Sequence, residues 1–253
     1  MRRFIVRGGI VLVLFSASCA GSQAVQEAAA PAAQELANIK AQVMAADYRG
    51  DLNELGRLRD QLGKWGNAAE LVYLARYWKG FASWRMAING ANQQMKAAEL
   101  TANLTSAAAD FYSSLRLKED FADGYAAAAL VNGWLVAIHI SGAGPDTVEV
   151  RERFSLSQML FVRASALDAQ NPRVLWAKAA FILYRPDGKP ENVTRAIELY
   201  EQMLKESDRR GLDAASPLPD WGKPEALMSL AFAHTRQTPP DLILAREEAR
   251  LAL

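Results

Sequence analysis

Few of the side chains that commonly carry out enzymatic chemistry occur in this chain of 253 residues, which has two histidines and one cysteine. His139 and His234 lie 95 positions apart, and neither belongs to a recognisable catalytic or metal-binding motif. Gly142-Ala143-Gly144 lacks the third glycine and the preceding strand of a dinucleotide loop, and is typical of a turn between helices. We therefore expect no enzymatic activity, no metal ion and no cofactor. A hydrolase would need one histidine beside an acidic residue in a cleft.

The balance of charged residues limits the kinds of partner that this chain is expected to bind. The chain carries 29 Lys and Arg against 28 Asp and Glu, for a formal net charge of +1. That balance excludes the strongly basic surface of a general nucleic-acid binder, so we expect no nucleic-acid partner. With 51% hydrophobic and 23% charged residues, the composition is typical of a globular protein.

The first residues have the pattern of an export signal. Arg2, Arg3 and Arg7 precede an uncharged apolar run over 8–15, and small residues follow up to Ala20. A basic start, a short apolar stretch and a small-residue cleavage site predict a signal peptide over 1–18. The apolar run is about half of the ~20 residues that a helix needs to cross a bilayer. We expect no later segment of the chain to be long and apolar enough to cross a bilayer, and therefore no transmembrane anchor in the mature chain.

The single cysteine lies at the predicted cleavage point. Ser16-Ala17-Ser18-Cys19 resembles the lipobox of bacterial lipoproteins, with Ser16 where leucine is usual. The resemblance implies an exported, periplasmic protein that is anchored through a lipid on Cys19, and Ala20 after it resembles the pattern of outer-membrane sorting. Cleavage after Ala20, which discards the cysteine, is the alternative. The Ala-, Gly- and Ser-rich stretch 19–31 predicts a flexible tether.

Proline placement and helical periodicity predict an all-α protein. No proline occurs between Pro31 and Pro145, and the intervening residues are mostly good helix formers. From Pro190 onward, apolar residues recur at spacings of three and four, as in an amphipathic helix. The predicted helices cover 33–46, 51–63, 67–89, 92–117, 122–140, 148–168, 172–185, 190–207, 222–236 and 240–253. Short polar breaks between them favour antiparallel hairpins.

Small residues recur at a near-constant interval. Gly80, Ala129, Ala179 and Ala231 are separated by 49, 50 and 52 residues. The surrounding pattern resembles the first helices of tetratricopeptide repeats, although the standard repeat is 34 residues long. The resemblance implies a right-handed α-solenoid of about five antiparallel helix hairpins over residues 32–253. A generic helical bundle with an alanine-rich core is the alternative.

Two further segments carry a more specific resemblance. The run 171–175 and the run 218–227, which contains Trp221-Gly222, are similar to exported bacterial tetratricopeptide-like proteins in which a Trp-Gly pair opens the last hairpin. Some exported proteins of this helical type, the TRAP-transporter T-component lipoproteins, serve as partners of substrate-binding transporters. The resemblance implies the fold more strongly than it implies a function.

The repeat register implies a candidate binding surface. In tetratricopeptide proteins, certain first-helix positions line a concave groove, and here aromatics and arginines fall on many of them. The predicted partner-binding residues are Tyr77, Phe81, Trp84, Arg85, Trp134, Arg173, Trp176, Met228, Phe232 and Arg236. We expect a non-catalytic interaction module of the cell envelope that binds a protein or peptide in this groove. Two alternatives stay open: a carrier or transporter accessory that binds a small apolar ligand, and aromatics that fill the core.

Overall fold

The computed structural model describes residues 19–253 except 67, 144–146, 186–187 and 212, with side chains described from residue 30 except that of residue 143. The predicted signal peptide over 1–18 and Gly144 of the predicted turn lie outside these residues. Within the described part the chain is helical and has no strand, which confirms the all-α prediction. The helices are α1 (Cys19–Tyr48), α2 (Leu52–Gly63), α3 (Val72–Asn92), α4 (Ala97–Leu117), α5 (Ala122–Ala143), α6 (Val148–Leu167), α7 (Pro172–Leu183), α8 (Pro190–Arg210), α9 (Lys223–Thr235) and α10 (Leu242–Leu251).

The helices pack in consecutive pairs. Helix α1 packs on α2, α3 on α4, α5 on α6, α7 on α8 and α9 on α10. The second helix of a pair also packs on the first helix of the next pair, as α2 does on α3, α4 on α5 and α8 on α9. This order of contacts is consistent with the predicted solenoid of hairpins. We call the side formed by α1, α3, α5, α7 and α9 the first-helix face.

The first helix is longer than the sequence pattern predicts. Its backbone is helical from Cys19 onward and continues through Pro31, over the stretch 19–31 for which we expected a flexible tether. Alanine has the highest helix propensity of any residue, and this stretch is rich in it, so the difference has a local cause. The role of the stretch as a link to an anchor stays a prediction.

The recurring small residues are buried where helices approach each other closely. A Cβ atom on Gly80 of α3 would lie 3.1 Å from the Ala107 carbonyl oxygen and 3.1 Å from the Phe111 ring, both on α4. Ala129 and Ala179 have no exposed surface. Ser157 of α6 donates a hydrogen bond of 2.8 Å to the Ala129 carbonyl oxygen, which requires α6 to lie directly on α5. Small side chains at these positions let the paired backbones come together.

Helix α5 corrects one expectation from the sequence. The stretch Ala122–Gly142 is long and apolar enough to cross a membrane by length and composition, although we expected no such segment after the leader. Of the 18-residue window in this stretch that meets the hydropathy criterion, 56% is buried inside the protein. Helix α5 packs against α4, α6 and α7. A core helix enclosed by neighbours is apolar on most sides, and this explains the composition.

The segment 213–222, between α8 and α9, returns across the first-helix face. The Trp78 indole of α3 donates a hydrogen bond of 2.7 Å to the Pro217 carbonyl oxygen. Lys40 of α1 forms an ion pair of 2.8 Å with Asp220 and donates to the Leu218 carbonyl oxygen at 3.5 Å. These contacts join parts of the chain that lie more than 130 positions apart, so the segment closes the face against its first two hairpins.

Trp221 and Gly222 fix the end of this segment. The Trp221 indole, 2% exposed, donates a hydrogen bond of 2.8 Å to the Tyr77 hydroxyl oxygen of α3. Gly222 immediately precedes α9 at φ 117°, and a Cβ atom there would lie 2.6 Å from the Met203 Cε atom. A residue with a side chain would be strained there. The Trp-Gly pair therefore sets both the anchor of the segment and the start of α9.

We predict that Trp221→Ala lowers the free energy of unfolding by about 3–5 kcal/mol, the usual cost of deleting a buried large aromatic. The substitution removes contacts with three other aromatic rings as well as the bond to Tyr77. Leu218→Ala in the same segment is the control, because Leu218 is half exposed and its loss should cost less than about 1 kcal/mol. Urea denaturation followed by circular dichroism measures both. Equal stability of the two variants would contradict the anchoring role of Trp221.

Candidate functional site

Eight of the ten predicted partner-binding residues belong either to a buried group or to an exposed group. Tyr77, Phe81 and Trp84 have no exposed surface. Their partner is the inserted tryptophan: the Trp221 ring centroid lies 5.3 Å from that of Phe81 and 5.6 Å from that of Trp84. In this structure the three side chains are core residues, and segment 213–222 covers the part of the first-helix face to which they belong.

Arg173 belongs to the buried group for a different reason. Its Nε atom donates a hydrogen bond of 2.6 Å to Oδ1 of Asp123 on α5, and Asn171 donates to Oδ2 of the same carboxylate at 2.9 Å. Asn171 also caps α7, because its Oδ1 accepts a hydrogen bond from the Arg173 backbone N–H. The network satisfies a buried carboxylate and ties α5 to the start of α7, so Arg173 has a structural partner here.

Trp176 lies between the two groups. Its ring contacts Trp84 at 6.3 Å and Trp221 at 5.7 Å between centroids. Its indole N–H donates a hydrogen bond of 3.2 Å to the Ser229 hydroxyl oxygen, and that hydroxyl donates to the Glu225 carbonyl oxygen at 2.7 Å. Trp176 thus links the buried aromatic cluster to α9.

The exposed group forms what we call the aromatic surface, made of Trp134, Tyr184, Met228, Phe232 and Arg236. The first four are exposed by 43%, 64%, 51% and 42% respectively. The Tyr184 and Phe232 rings stack with centroids 6.0 Å apart, and the Arg236 guanidinium lies 5.6 Å from the Phe232 centroid. Trp134 follows Gly133, where a Cβ atom would lie 3.6 Å from the Phe181 ring of α7. Tyr184, which follows Trp176 by two helical turns, is the one member of this surface outside the ten predicted partner-binding residues.

Arg85, the tenth predicted residue, joins a cluster that the sequence did not reveal. Its Nε atom donates a hydrogen bond of 2.7 Å to Oδ1 of Asp47 in the last turn of α1. Its Nη2 atom lies 3.8 Å from Oε1 of Glu225 in the first turn of α9. Asn89, one turn along α3, donates to the same Asp47 oxygen at 2.8 Å. We call Asp47, Arg85 and Glu225 the charged cluster.

The charged cluster holds one cation between two carboxylates beneath the surface. Burial raises the pKa of Glu225 above its ordinary value, while the charge of Arg85 lowers it and that of Asp47 raises it. Burial would lower the pKa of Arg85, but Asp47 and Glu225 raise it above its ordinary value, so the guanidinium stays charged. Burial raises the pKa of Tyr48, and the charges of Glu225 and Asp47 raise it further. Glu225 therefore binds a proton more readily here than it would in water.

The histidines do not converge on a site of their own. His139 of α5 lies 3.1 Å from the Glu149 carboxylate of α6, and Arg153 donates to the same oxygen at 2.9 Å. His234 is buried, with its Nδ1 atom 3.0 Å from Oε1 of Gln237. Within the described residues, no group of three His, Cys, Asp or Glu side chains is placed to hold a metal ion. Glu149 thus joins the two helices of a hairpin through two basic partners.

We predict that the stability advantage of Glu225→Gln over the wild type grows as the pH rises from about 4.5. Because the pKa of Glu225 is higher in the folded state, that state binds more protons in this window, and wild-type stability falls as the pH rises through it. The variant lacks this dependence. Urea denaturation between pH 4.5 and 8 measures the difference, with the exposed Glu247→Gln on α10 as the control. A constant difference between Glu225→Gln and wild type would contradict the raised pKa.

Comparison with protein-family models finds no match, and comparison with curated proteins finds no significant match. The resemblance to exported tetratricopeptide-like lipoproteins therefore stays a prediction from the residues quoted above. The aromatic surface and the charged cluster are defined by their geometry alone. They are neighbouring features of the first-helix face: the aromatic surface is apolar and exposed, and the charged cluster is nearly buried.

Proposed function

We propose that this chain is a non-catalytic interaction module of the bacterial envelope, built as a right-handed tetratricopeptide-like solenoid, that binds an extended peptide on its first-helix face. One observation carries the proposal. The face already holds a non-helical stretch of its own chain, segment 213–222, through side chains of α1, α3 and α7. The part of the same face that the segment leaves uncovered presents further aromatic side chains, on which a second segment can bind.

The contacts made by segment 213–222 indicate how such a peptide is recognised. The indole of Trp78 and the ammonium of Lys40 donate hydrogen bonds to backbone carbonyl oxygens of the segment, which any sequence can offer. Trp221 inserts between rings and supplies the side-chain selectivity. Backbone bonds combined with an aromatic anchor are a general basis of peptide recognition.

The aromatic surface continues this face beyond the segment. Its members are aromatic, methionine and arginine side chains, the types enriched at the energetic centres of protein interfaces. Arg236 over the Phe232 ring supplies a positive charge beside an apolar patch. The surface therefore suits an apolar peptide that carries a carboxylate near one end, and this is the partner chemistry we propose.

We predict that Phe232→Ala weakens binding of peptides to the protein by about tenfold or more, because a central aromatic at an interface contributes about 2 kcal/mol or more. Peptides are selected from a displayed random library on the immobilised wild type, and their affinities are measured by fluorescence anisotropy. Phe154→Ala is the matched control: Phe154 has a similar exposure, 54% against 42%, but lies on α6, the second helix of its hairpin.

Equal affinity of the wild type and Phe232→Ala for the selected peptides would contradict the proposal, as would an equal loss in Phe154→Ala. The alternative function, a carrier of a small apolar ligand, predicts a different result. A carrier would select no peptide and would copurify with a small molecule that mass spectrometry of an organic extract detects. Loss of that molecule in Phe232→Ala would favour the carrier.

The proposal includes export and a lipid anchor on Cys19, for which the support is the leader pattern. We predict that Cys19→Ser abolishes incorporation of an alkyne-tagged palmitate in a bacterial host and releases the protein from the membrane fraction. Ser18→Ala is the control, because a small residue before the cysteine is kept. Membrane release by both variants, or a label that persists in Cys19→Ser, would contradict lipid attachment at this residue.

A further inference from the structure

The charged cluster contains more hydrogen-bond acceptors than the protein supplies donors for. Oδ1 of Asp47 accepts from Arg85 and Asn89, but Oδ2 has no partner among the described residues. Neither carboxylate oxygen of Glu225 has a hydrogen-bond partner of good geometry there, although the side chain is 91% buried and the backbone N–H groups of Gly222 and Glu225 lie close enough to lower its pKa. The indole N–H of Trp84 is likewise buried without one. Three acceptor atoms and one donor in a buried cluster are costly when they are unpaired.

The charges of the cluster have the same imbalance. Asp47 and Glu225 flank a single guanidinium, that of Arg85. When both carboxylates are ionised, the cluster has a net charge of −1. The uncompensated negative charge lies at Glu225, because its carboxylate is 3.8 Å from Arg85 whereas that of Asp47 is 2.7 Å away. One further cation with several N–H donors would satisfy both the charge and the free acceptors.

The surroundings favour an organic cation. Within the described residues, no set of three metal-ligating side chains exists. The Arg85 guanidinium would repel a divalent ion about twice as strongly as a monovalent ammonium group at the same distance. An ammonium group also needs only acceptors and an aromatic wall. The half-exposed Tyr48 supplies such a wall, because its ring attracts cations. Glu225 and Arg85 retain 9% and 13% of their side-chain surface exposed, so the cluster lies directly beneath the surface.

Helix α9 connects this cluster to the aromatic surface. Met228 and Ser229 follow Glu225 by three and four residues, Phe232 follows them by four and three, and Arg236 follows Phe232 by four, so the five residues lie along one stripe. Eleven residues separate Glu225 from Arg236, about 16 Å along the helix axis at 1.5 Å per residue. The stripe is negative at its start, apolar in its middle and positive at its end.

We propose that the charged cluster is a recognition site for an ammonium or guanidinium group of a ligand, which binds at Glu225. The cation comes either from a lysine or arginine of the bound peptide or from a small free amine. The peptide source rests on the proposed function, and the free amine does not. In the peptide case, the basic residue lies about five residues from an acidic residue that meets Arg236, since an extended chain covers about 3.3 Å per residue.

The first arm of the test repeats the random-peptide selection on the wild type, Glu225→Gln and the control Glu247→Gln. We expect lysine or arginine to be enriched about five residues from an acidic residue with the wild type and the control, and not with Glu225→Gln. Replacing the basic residue of a selected peptide by norleucine should weaken its binding to the wild type about tenfold or more, the value of a charge-assisted hydrogen bond. Peptides from Glu225→Gln with the same enrichment would overturn the proposal for the peptide source.

The second arm titrates the same three proteins with 1,5-diaminopentane and follows tryptophan fluorescence. Saturable binding that Glu225→Gln loses and Glu247→Gln keeps would establish a free-amine site, even if no peptide is selected and the proposed function fails. Selected peptides that lack a basic residue but depend on Phe232 would leave the proposed function in place. If those peptides are found and the diamine also binds no protein, or binds all three equally, the cation site is overturned.

Discussion

The insertion of Trp221 between α3 and α7 is the contact on which the rest of the first-helix face depends. One indole packs against three aromatic rings from two helices and donates its N–H to the Tyr77 hydroxyl oxygen. Successive hairpins touch mainly their neighbours along the chain, so such an array resists bending only through local contacts. Trp221 adds a contact between the hairpin α3–α4 and the hairpin α7–α8, and it thereby fixes the relative position of units that do not follow each other.

The ion pairs near segment 213–222 contribute more to fixing its position than to the stability of the fold. Lys40 with Asp220 and Arg85 with Asp47 are largely withdrawn from water, which costs each charge its hydration. Such pairs gain little over apolar side chains of the same size, but an orphaned partner would cost several kcal/mol. The position of segment 213–222 along the face is therefore strongly specified, because a shift by one residue would leave Lys40 buried without its carboxylate partner. The same constraint positions Glu225, which enters the face three residues after Gly222.

Local patterns predicted the helices well and the face poorly. The prolines at 172 and 190 begin α7 and α8 as expected, because a proline in the first helical turn costs no backbone hydrogen bond. Helix α4 begins at Ala97, five residues later than predicted, since Gln94 adopts a positive φ of 62° in the preceding turn. The buried small residue Gly80 was found from its spacing alone. All of these signals act within a few residues of the position that they determine.

The division of the predicted aromatics into buried and exposed has a non-local cause. Phe81 and Phe232 occupy equivalent first-helix positions, one residue after the small residues Gly80 and Ala231, yet Phe81 is buried and Phe232 is exposed, because segment 213–222 returns to α3 and not to the end of α9. No periodicity encodes that return, although the Trp221-Gly222 pair was noted as a resemblance. Asp47 and Glu225 meet across 178 positions for the same reason. A groove register read from sequence thus identifies the residues that face inward, and the loops decide which of them a ligand can reach.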